Sequence, residues 1–186
     1  MKKFELTTES ITNEAGKKLF RIKALIDFGD VKAGEPGGYV EKEGNVSQDD
    51  NAWVSGDAEV FGNAKVSGNA KVFGNAKVYD NAWVSGNAWV YDNARVSGNA
   101  WVSGDARVSG DADYALVQGF GTEFRCTTFY RGKNKKIMVN CGCFHGDLEG
   151  FRKQVKETRN GKIAKEYLMI ADLMEYHFTS EDSSNE

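Results

Sequence analysis

From residue 51 the chain reads Asn51-Ala52-Trp53-Val54-Ser55-Gly56, then Asp57-Ala58-Glu59-Val60-Phe61-Gly62, and this six-residue pattern continues to about residue 114. Ala and Val stand two positions apart in each repeat, as alternate residues on one side of a strand do. The residue between them and the residue after Val then point outward. Gly, Asn and Asp fill the two places between successive strands, and these residues tolerate the backbone angles of tight corners. The pattern predicts a mainly β fold, a β-solenoid with one short strand and one corner in each repeat.

The Val place and the small Ala place resemble those of the hexapeptide-repeat family of left-handed β-helix proteins. In that family three six-residue repeats form one triangular coil, so the resemblance implies a short left-handed parallel β-helix. Residues 18 positions apart in the sequence would then lie above one another. Stacked coils bury Val and Ala inside, and both ends of the stack need caps. The corner Asn residues stand in register, and we expect them to form side-chain amide ladders.

The sequence predicts three segments: an N-terminal β cap at residues 1–50, the hexapeptide-repeat β-solenoid at 51–118, and a C-terminal α+β module at 119–186. Two strands, Lys3–Thr7 and Leu19–Phe28, are predicted in the cap. The stretch 29–40, with 21–25 before it, resembles the N-terminal segment of YdcK-type hexapeptide proteins. This resemblance indicates the fold and says little about function.

The C-terminal module is predicted to have a ββαα arrangement. Phe124–Tyr130 and Lys136–Cys143 form a hairpin in this prediction. Asp147 is the expected N-cap of a first helix, and a second helix follows the break at Gly161. The module resembles a C-terminal domain that is common in prophage-encoded proteins. Residues 180–186 are polar, and we expect them to fray.

Large aromatic and cationic side chains take the outward places of the predicted solenoid. Trp and Tyr in such places are typical of protein interfaces, and so much apolar surface exceeds what monomers usually expose. We predict a partner-binding or self-association surface made of Trp53, Lys71, Phe73, Trp89, Tyr91, Arg107, Phe61, Tyr79, Trp83 and Trp101. Trp89 would lie between Lys71 and Arg107, which permits cation–π contacts. Alternatively, the C-terminal module covers these aromatic residues, or they only favour strand structure.

The solenoid lacks the side chains on which enzymes of the hexapeptide family depend. Hexapeptide acyltransferases use a histidine from the coils, whereas both histidines of this chain, His145 and His177, follow the repeat. The corner aspartates never share a column on neighbouring coils, which argues against a carboxylate pair or a calcium ladder. We expect a non-catalytic protein without a cofactor. Two alternatives stay open: a trimeric acyltransferase-like enzyme that depends on coenzyme A, and a protein that sequesters a small ligand or nucleotide.

One set of side chains has the chemistry of a metal site. Cys141, Cys143 and His145 alternate, so they share one side if the strand is extended, and Cys126 would lie on the paired strand. Four such ligands can hold zinc. The spacing lacks the usual Cys-x-x-Cys pair, however, and cysteine is often a small buried apolar residue. We expect no metal, with this zinc site as the less favoured alternative.

The charge of the chain argues against nucleic acid as a partner. The 186 residues include 24 Lys+Arg and 27 Asp+Glu, a net charge of −3, and we interpret the basic turn at residues 131–136 as a solvated hairpin tip. No apolar run approaches the roughly 20 residues of a membrane-spanning helix, and the first residues lack the apolar run of a signal peptide. Three cysteines do not suggest a disulfide framework, so we expect a cytoplasmic protein.

These observations predict a non-catalytic scaffold or binding protein. Its partner would be another protein, a second copy in a dimer or trimer, or both, and no membrane is expected. The resemblance to prophage-encoded proteins implies a more specific role, a phage or prophage inhibitor of a host defence protein, for example of the anti-CRISPR type. That role depends on the resemblance and on no particular residue.

Overall fold

A computed structural model describes residues 2–179 of the protein, which divide into two units between Asp111 and Ala112. The strands of the first unit are β1 Phe4–Thr12, β2 Lys18–Ala24, β3 Pro36–Val40, β4 Trp53–Val54, β5 Glu59–Val60, β6 Lys65–Val66, β7 Lys71–Val72, β8 Lys77–Val78, β9 Trp83–Val84, β10 Trp89–Val90, β11 Arg95–Val96, β12 Trp101–Val102 and β13 Arg107–Val108. Short 3₁₀ helices lie at Glu43–Asn45 and Asp111–Asp113. The N-terminal segment and the solenoid therefore form one unit, whereas the sequence predicts a boundary between them at residue 50.

Strands β4 to β13 stack in parallel on three faces of a solenoid. The face β4-β7-β10-β13 is joined by a face containing β5-β8-β11 and by the face β6-β9-β12. Neighbouring strands are 18 residues apart in the sequence, since Trp53 pairs with Lys71, and Trp89 pairs with both Lys71 and Arg107. The Ala and Val residues of the repeat are buried from Ala52 to Val108. The predicted solenoid, its coil length and its apolar interior are confirmed.

The corner Asn side chains form hydrogen-bonded ladders, as the sequence predicts. Asn51 Nδ2 donates to Asn69 Oδ1 at 2.9 Å, and Asn69 Nδ2 donates to Asn87 Oδ1 at 3.1 Å. Two further ladders run from Asn63 through Asn81 to Asn99 and from Asn75 to Asn93. The adjacent corners bring backbones close together: Gly86 has φ +66°, and a Cβ there would lie 2.8 Å from the nitrogen of Gly104. Glycine is required at this corner for both reasons.

The N-terminal segment extends one face of the solenoid. β1 and β2 are antiparallel, β2 and β3 are antiparallel, and β3 lies parallel to β5, which gives the sheet order β1-β2-β3-β5-β8-β11. The predicted strands Lys3–Thr7 and Leu19–Phe28 overlap β1 and β2. The sequence does not predict β3, because Pro36 and two glycines read as a turn. Gly37 and Gly38 are buried, and a Cβ at Gly37 would lie 2.7 Å from the carbonyl oxygen of Val54.

A buried lysine caps the first coil. Lys3 is 2% exposed, and its Nζ donates to the carbonyl oxygens of Asp50 at 2.7 Å and Ala52 at 2.8 Å. The same ammonium lies 4.8 Å from the centroid of the Phe28 ring. Burial lowers the pKa of Lys3 from 10.5 to about 8. The N-terminal segment thus supplies donors to carbonyl groups at the start of the stack.

The second unit is an antiparallel sheet followed by two helices. Its elements are β14 Tyr114–Phe120, β15 Arg125–Arg131, β16 Ile137–Cys141, β17 Phe144–Asp147, α1 Leu148–Thr158 and α2 Gly161–Thr179. The predicted hairpin corresponds to β15 and β16, but β14 and β17 add an outer strand on each side of it. Residues 114–118, which the sequence analysis assigns to the solenoid, pair with β15 instead. The predicted ββαα module therefore has four strands.

The two helices begin where the sequence predicts. The Asp147 side chain accepts a hydrogen bond from the Gly150 nitrogen at 2.9 Å and so caps α1, and α2 starts at Gly161. Apolar residues of both helices pack on Phe129 and Val139 of the sheet. Neither helix in the described part of the chain is long and apolar enough to cross a membrane. The expectation for residues 180–186 concerns residues outside those that the structure describes.

Candidate binding surfaces of the solenoid

Trp53 does not lie on an open surface, so its predicted place in the binding surface is wrong. Only 4% of the residue is exposed. Its ring meets those of Phe4 and Phe28 edge to face, at centroid distances of 6.2 and 5.3 Å. Both phenylalanines come from the N-terminal segment, which covers the first rung of the face β4-β7-β10-β13. Trp53 therefore belongs to the core of the first unit and is not available to a partner.

Trp89 is the centre of a mixed aromatic and cationic cluster on the same face. The guanidinium carbon of Arg107 lies 4.3 Å from the Trp89 ring centroid, and Lys71 Nζ lies 5.8 Å from it. The predicted cation–π contacts are confirmed on both sides of the indole. Phe73 stacks on Tyr91, with centroids 5.2 Å apart, and meets Trp89 edge to face. We name these five residues the Trp89 cluster.

The third face carries a stacked pair of indoles. Trp83 and Trp101 lie 5.4 Å apart with an interplanar angle of 12°, and we name them the Trp83 pair. Each indole nitrogen donates to a serine, from Trp83 Nε1 to Ser67 Oγ at 3.0 Å and from Trp101 Nε1 to Ser85 Oγ at 3.2 Å. Trp83 is 44% exposed. Two flat rings are thus held in fixed orientations while one of them remains open to solvent.

Phe61 and Tyr79 lie in a cleft and not on an open face. Their rings stack with centroids 5.1 Å apart and an interplanar angle of 4°. The cleft has a volume of about 840 Å³ and runs between the β1–β2 turn, residues 13–17, and the face β5-β8-β11. We name it the hairpin cleft. The sequence does not predict this cleft, because nothing in the repeat shows where the preceding hairpin will lie.

The outward aromatic residues are therefore divided among separate places. The Trp89 cluster and the Trp83 pair lie on two different faces, the Phe61–Tyr79 stack lines the hairpin cleft, and Trp53 is covered. The second unit exposes another apolar surface that the sequence analysis does not single out. Met169, Leu173 and Tyr176 of α2 are 58–71% exposed. Their spacing along the helix places them on one side, which was the signal available in the sequence.

The cysteines and histidine considered for zinc are not brought together. Gly142, with φ +61°, turns the chain after β16, so Cys141 pairs with Phe144 and Cys143 lies in the turn. His145 Nδ1 contacts Asn140 Oδ1 at 2.5 Å, and Cys141 Sγ accepts a hydrogen bond from Thr127. Cys126 is half-buried, and its burial raises the pKa of the thiol. Within residues 2–179 no three His, Cys, Asp or Glu side chains are placed to hold a metal ion, and the four side chains considered for zinc are not assembled into one site.

Comparison with known families supports the solenoid assignment. The YdcK beta solenoid repeat family matches residues 76–91 and 88–104, both inside the stack of coils. These matches agree with the β-solenoid that the structure shows, and residues 76–104 are similar to that repeat family. No curated protein matches the chain.

Proposed function

We propose that this β-solenoid is a non-catalytic binding or scaffold protein that holds another protein, or a second copy of itself, on the Trp89 cluster and the Trp83 pair. The observation that carries the proposal is the exposure of fixed indole rings on both faces. Trp89 is 37% exposed between two cations, and Trp83 is 44% exposed on top of a stacked partner. Tryptophan and arginine are the residues that contribute most to binding energy at protein interfaces.

The surroundings of the indoles favour binding because little conformational freedom is left to lose. The hydrogen bonds from Trp83 and Trp101 to serines, together with their stacking, fix both rings before any partner arrives. Immobilising a side chain at an interface costs about 0.5–1.5 kcal/mol, and a ring that is already fixed avoids that cost. Binding through these rings therefore needs no rearrangement of the solenoid.

The non-catalytic part of the proposal is supported by the residues of the repeat. Residues 51–118 contain no histidine. Two of the corner aspartates, Asp80 and Asp92, adopt positive φ angles of 59° and 54°, so they take places that glycine holds in other coils. These two aspartates therefore have a structural place in the corners of the solenoid. The three cysteines of the chain are free, which agrees with the proposed cytoplasmic location.

The proposal is tested by the solution mass and by capture of partners with wild type and a Trp89→Ser/Tyr91→Ser variant. We expect the variant to keep its solenoid, by circular dichroism, and to lose an assembly or a specific partner that wild type holds. Leu25→Ser is the matched control, because Leu25 is an exposed apolar residue of the same unit outside both surfaces. An unchanged mass and unchanged partners in the double variant would contradict the role proposed for the Trp89 cluster.

A finer version of the proposal takes the partner to be a host defence protein, such as a CRISPR nuclease. It is supported by the resemblance of the C-terminal module to domains of prophage-encoded proteins. The expected result is inhibition of the purified nuclease by wild type and its loss in the Trp89→Ser/Tyr91→Ser variant. If the double variant inhibits the nuclease as well as wild type does, the Trp89 cluster does not mediate the inhibition.

A further inference from the structure

The hairpin cleft is large enough for a small organic ligand and lies wholly within the first unit. Its volume of about 840 Å³ falls in the upper part of the range of 300–1,000 Å³ that is usual for ligand pockets. The turn between β1 and β2 lines one side, and outward residues of β5, β8 and β11 line the other. The unit that forms it has a continuous sheet from the hairpin to β11, so the cleft does not depend on a second unit or a second chain.

An aromatic ladder ends inside the cleft. Phe61 stacks on Tyr79, and the next residue in that column, 18 positions after Tyr79, is Ser97. A serine does not extend as far as a ring, so one flat side of Tyr79 has no aromatic neighbour at the next rung. Rungs are about 4.8 Å apart, which is within the range of centroid distances for offset stacking of aromatic rings. A planar ring from a ligand can therefore continue the Phe61–Tyr79 stack above Ser97.

A cation ends a second column beside that place. The outward residues of this face are Glu59, Lys77 and Arg95. Lys77 is already held by two carboxylates, Glu59 at 3.4 Å and Glu14 at 3.2 Å. The Arg95 side chain is exposed and its guanidinium makes no ion pair or hydrogen bond with any of residues 2–179. Arg95 is thus the lining cation that is open to an anionic group, and a guanidinium binds carboxylate or phosphate through two parallel hydrogen bonds.

An amide donor ends a third column at the same level. Asn81 Nδ2 donates to Asn99 Oδ1 at 3.2 Å, and position 117, where the next ladder residue would stand, is a valine. Asn99 Nδ2 therefore has no acceptor within its ladder, and Asn99 is exposed and lines the cleft. The last rung of this face thus presents a guanidinium and an amide donor within five residues of sequence, and the rung before it presents the flat side of Tyr79.

From this convergence we infer that the hairpin cleft binds a planar heterocycle that carries an anionic group, the chemistry of a nucleoside monophosphate. The base stacks on Tyr79, an acceptor on its edge takes a hydrogen bond from Asn99, and the phosphate pairs with Arg95. The inference is independent of the protein-binding surfaces, since none of these three residues belongs to the Trp89 cluster or the Trp83 pair. An aromatic carboxylic acid also combines a planar ring with an anionic group. The experiment distinguishes this class of ligand from nucleoside monophosphates.

The test is isothermal titration calorimetry of the full chain with AMP, GMP, CMP and UMP, and in parallel with indole-3-acetate. We expect saturable binding of at least one nucleotide with one site per chain. Arg95→Ala and Tyr79→Ser each weaken it about tenfold or more, because one stacking contact alone is worth about that factor. Tyr79→Phe retains binding, since the ring remains. Lys65→Ala is the matched control, because Lys65 is another exposed outward cation of the repeat that does not line the cleft.

Each outcome has a defined meaning once circular dichroism shows that a variant is folded. Nucleotide binding that depends on both Arg95 and Tyr79 supports the inference. Binding of indole-3-acetate alone, with the same dependence, assigns the site to an aromatic carboxylate. No binding of any of these compounds, or equal losses in Arg95→Ala and Lys65→Ala, overturns it.

Discussion

The guanidinium of Arg107 lies over the ring of Trp89, with 4.3 Å between the guanidinium carbon and the ring centroid. The two residues are 18 positions apart and occupy neighbouring rungs of one face. The contact therefore joins one coil to the next through side chains, in addition to the backbone hydrogen bonds of the stack. Arg107 also donates to the carbonyl oxygens of Asn87 and Ala106.

Replacing Arg107 with Ala should lower the free energy of unfolding by about 1 kcal/mol, because a cation–π contact and hydrogen bonds to two carbonyl groups are lost. Urea denaturation measures the change. Lys65→Ala serves as the control and should change the free energy by less than about 0.5 kcal/mol. Equal values for the two variants would show that the Arg107–Trp89 contact adds nothing to stability.

The ladder at the corners predicts different costs for two asparagines. Asn69 both accepts from Asn51 and donates to Asn87, whereas Asn93 only accepts from Asn75. We expect Asn69→Ala to destabilise the protein by about 1–2 kcal/mol and Asn93→Ala by about half as much, since the first loses two hydrogen bonds and the second loses one. Urea denaturation of both variants tests the ratio, and a larger loss in Asn93→Ala would be inconsistent with the ladder.

Substitution of two glycines with positive φ distinguishes the cost of backbone strain from the cost of steric crowding. Gly16 has φ +72°, and a Cβ there would meet no atom of residues 2–179 within 4 Å. Gly86 has φ +66°, and a Cβ there would lie 2.8 Å from the nitrogen of Gly104. Gly16→Ala should therefore cost about 1–2 kcal/mol, the penalty of left-handed backbone alone. Gly86→Ala should cost clearly more, because the coils must also move apart. Thermal unfolding of the two variants measures the difference, and similar melting temperatures would refute the role assigned to the close approach.

The buried ammonium of Lys3 predicts a pH dependence of stability. Its pKa is about 8 in the folded protein and 10.5 as the reference value, so between these values the unfolded state holds a proton that the folded state has released. Unfolding then takes up a proton, and the free energy of unfolding gains a contribution that rises with pH, by at most about 1.4 kcal/mol per unit. Below about pH 8 Lys3 is charged in both states and this contribution is constant.

The measurement is the free energy of unfolding from urea curves at pH 8 and pH 10, for wild type and for Lys3→Met. The free energy of unfolding of wild type minus that of the variant should increase as pH rises, because only wild type has Lys3 to take up a proton on unfolding. The other titrating groups are common to both proteins, so their contributions cancel in this difference. At pH 7 the variant should be less stable by about 2 kcal/mol, since the carbonyls of Asp50 and Ala52 lose their donor. A pH-independent difference would mean that Lys3 keeps an ordinary pKa.

Features set by the period of the repeat are predictable from the sequence. The register of Lys71, Trp89 and Arg107 and the Asn ladders follow from residues 18 apart, because the coil leaves no choice of neighbour. Features set by contacts between the repeat and other segments are not. Trp53 looks like the other outward tryptophans and is buried only because Phe4 and Phe28 fold over it.

Local turns and close approaches between segments account for the other differences. Cys141, Cys143 and His145 alternate along the sequence, but a single turn at Gly142 changes which of them face one another. The hairpin cleft depends on where the β1–β2 turn lies, and the repeat holds no information about that. Strand β3 escapes prediction since its buried glycines are selected by a close approach to another strand and not by strand preference.

The corner ladders have a direction. Every amide hydrogen bond in them runs from the Nδ2 of one residue to the side-chain oxygen 18 positions later, so each ladder has an acceptor end and a donor end. One ladder finishes at Asp105, whose carboxylate accepts from Asn87 at 3.1 Å. A carboxylate has no N–H group and cannot donate a hydrogen bond to another coil. It accepts from the free amide donors at the end of the ladder, as an acidic residue accepts from the free N–H groups at the start of a helix. Asp105 therefore terminates this ladder: it accepts the last amide hydrogen bond of the column and has no side-chain donor for a further coil.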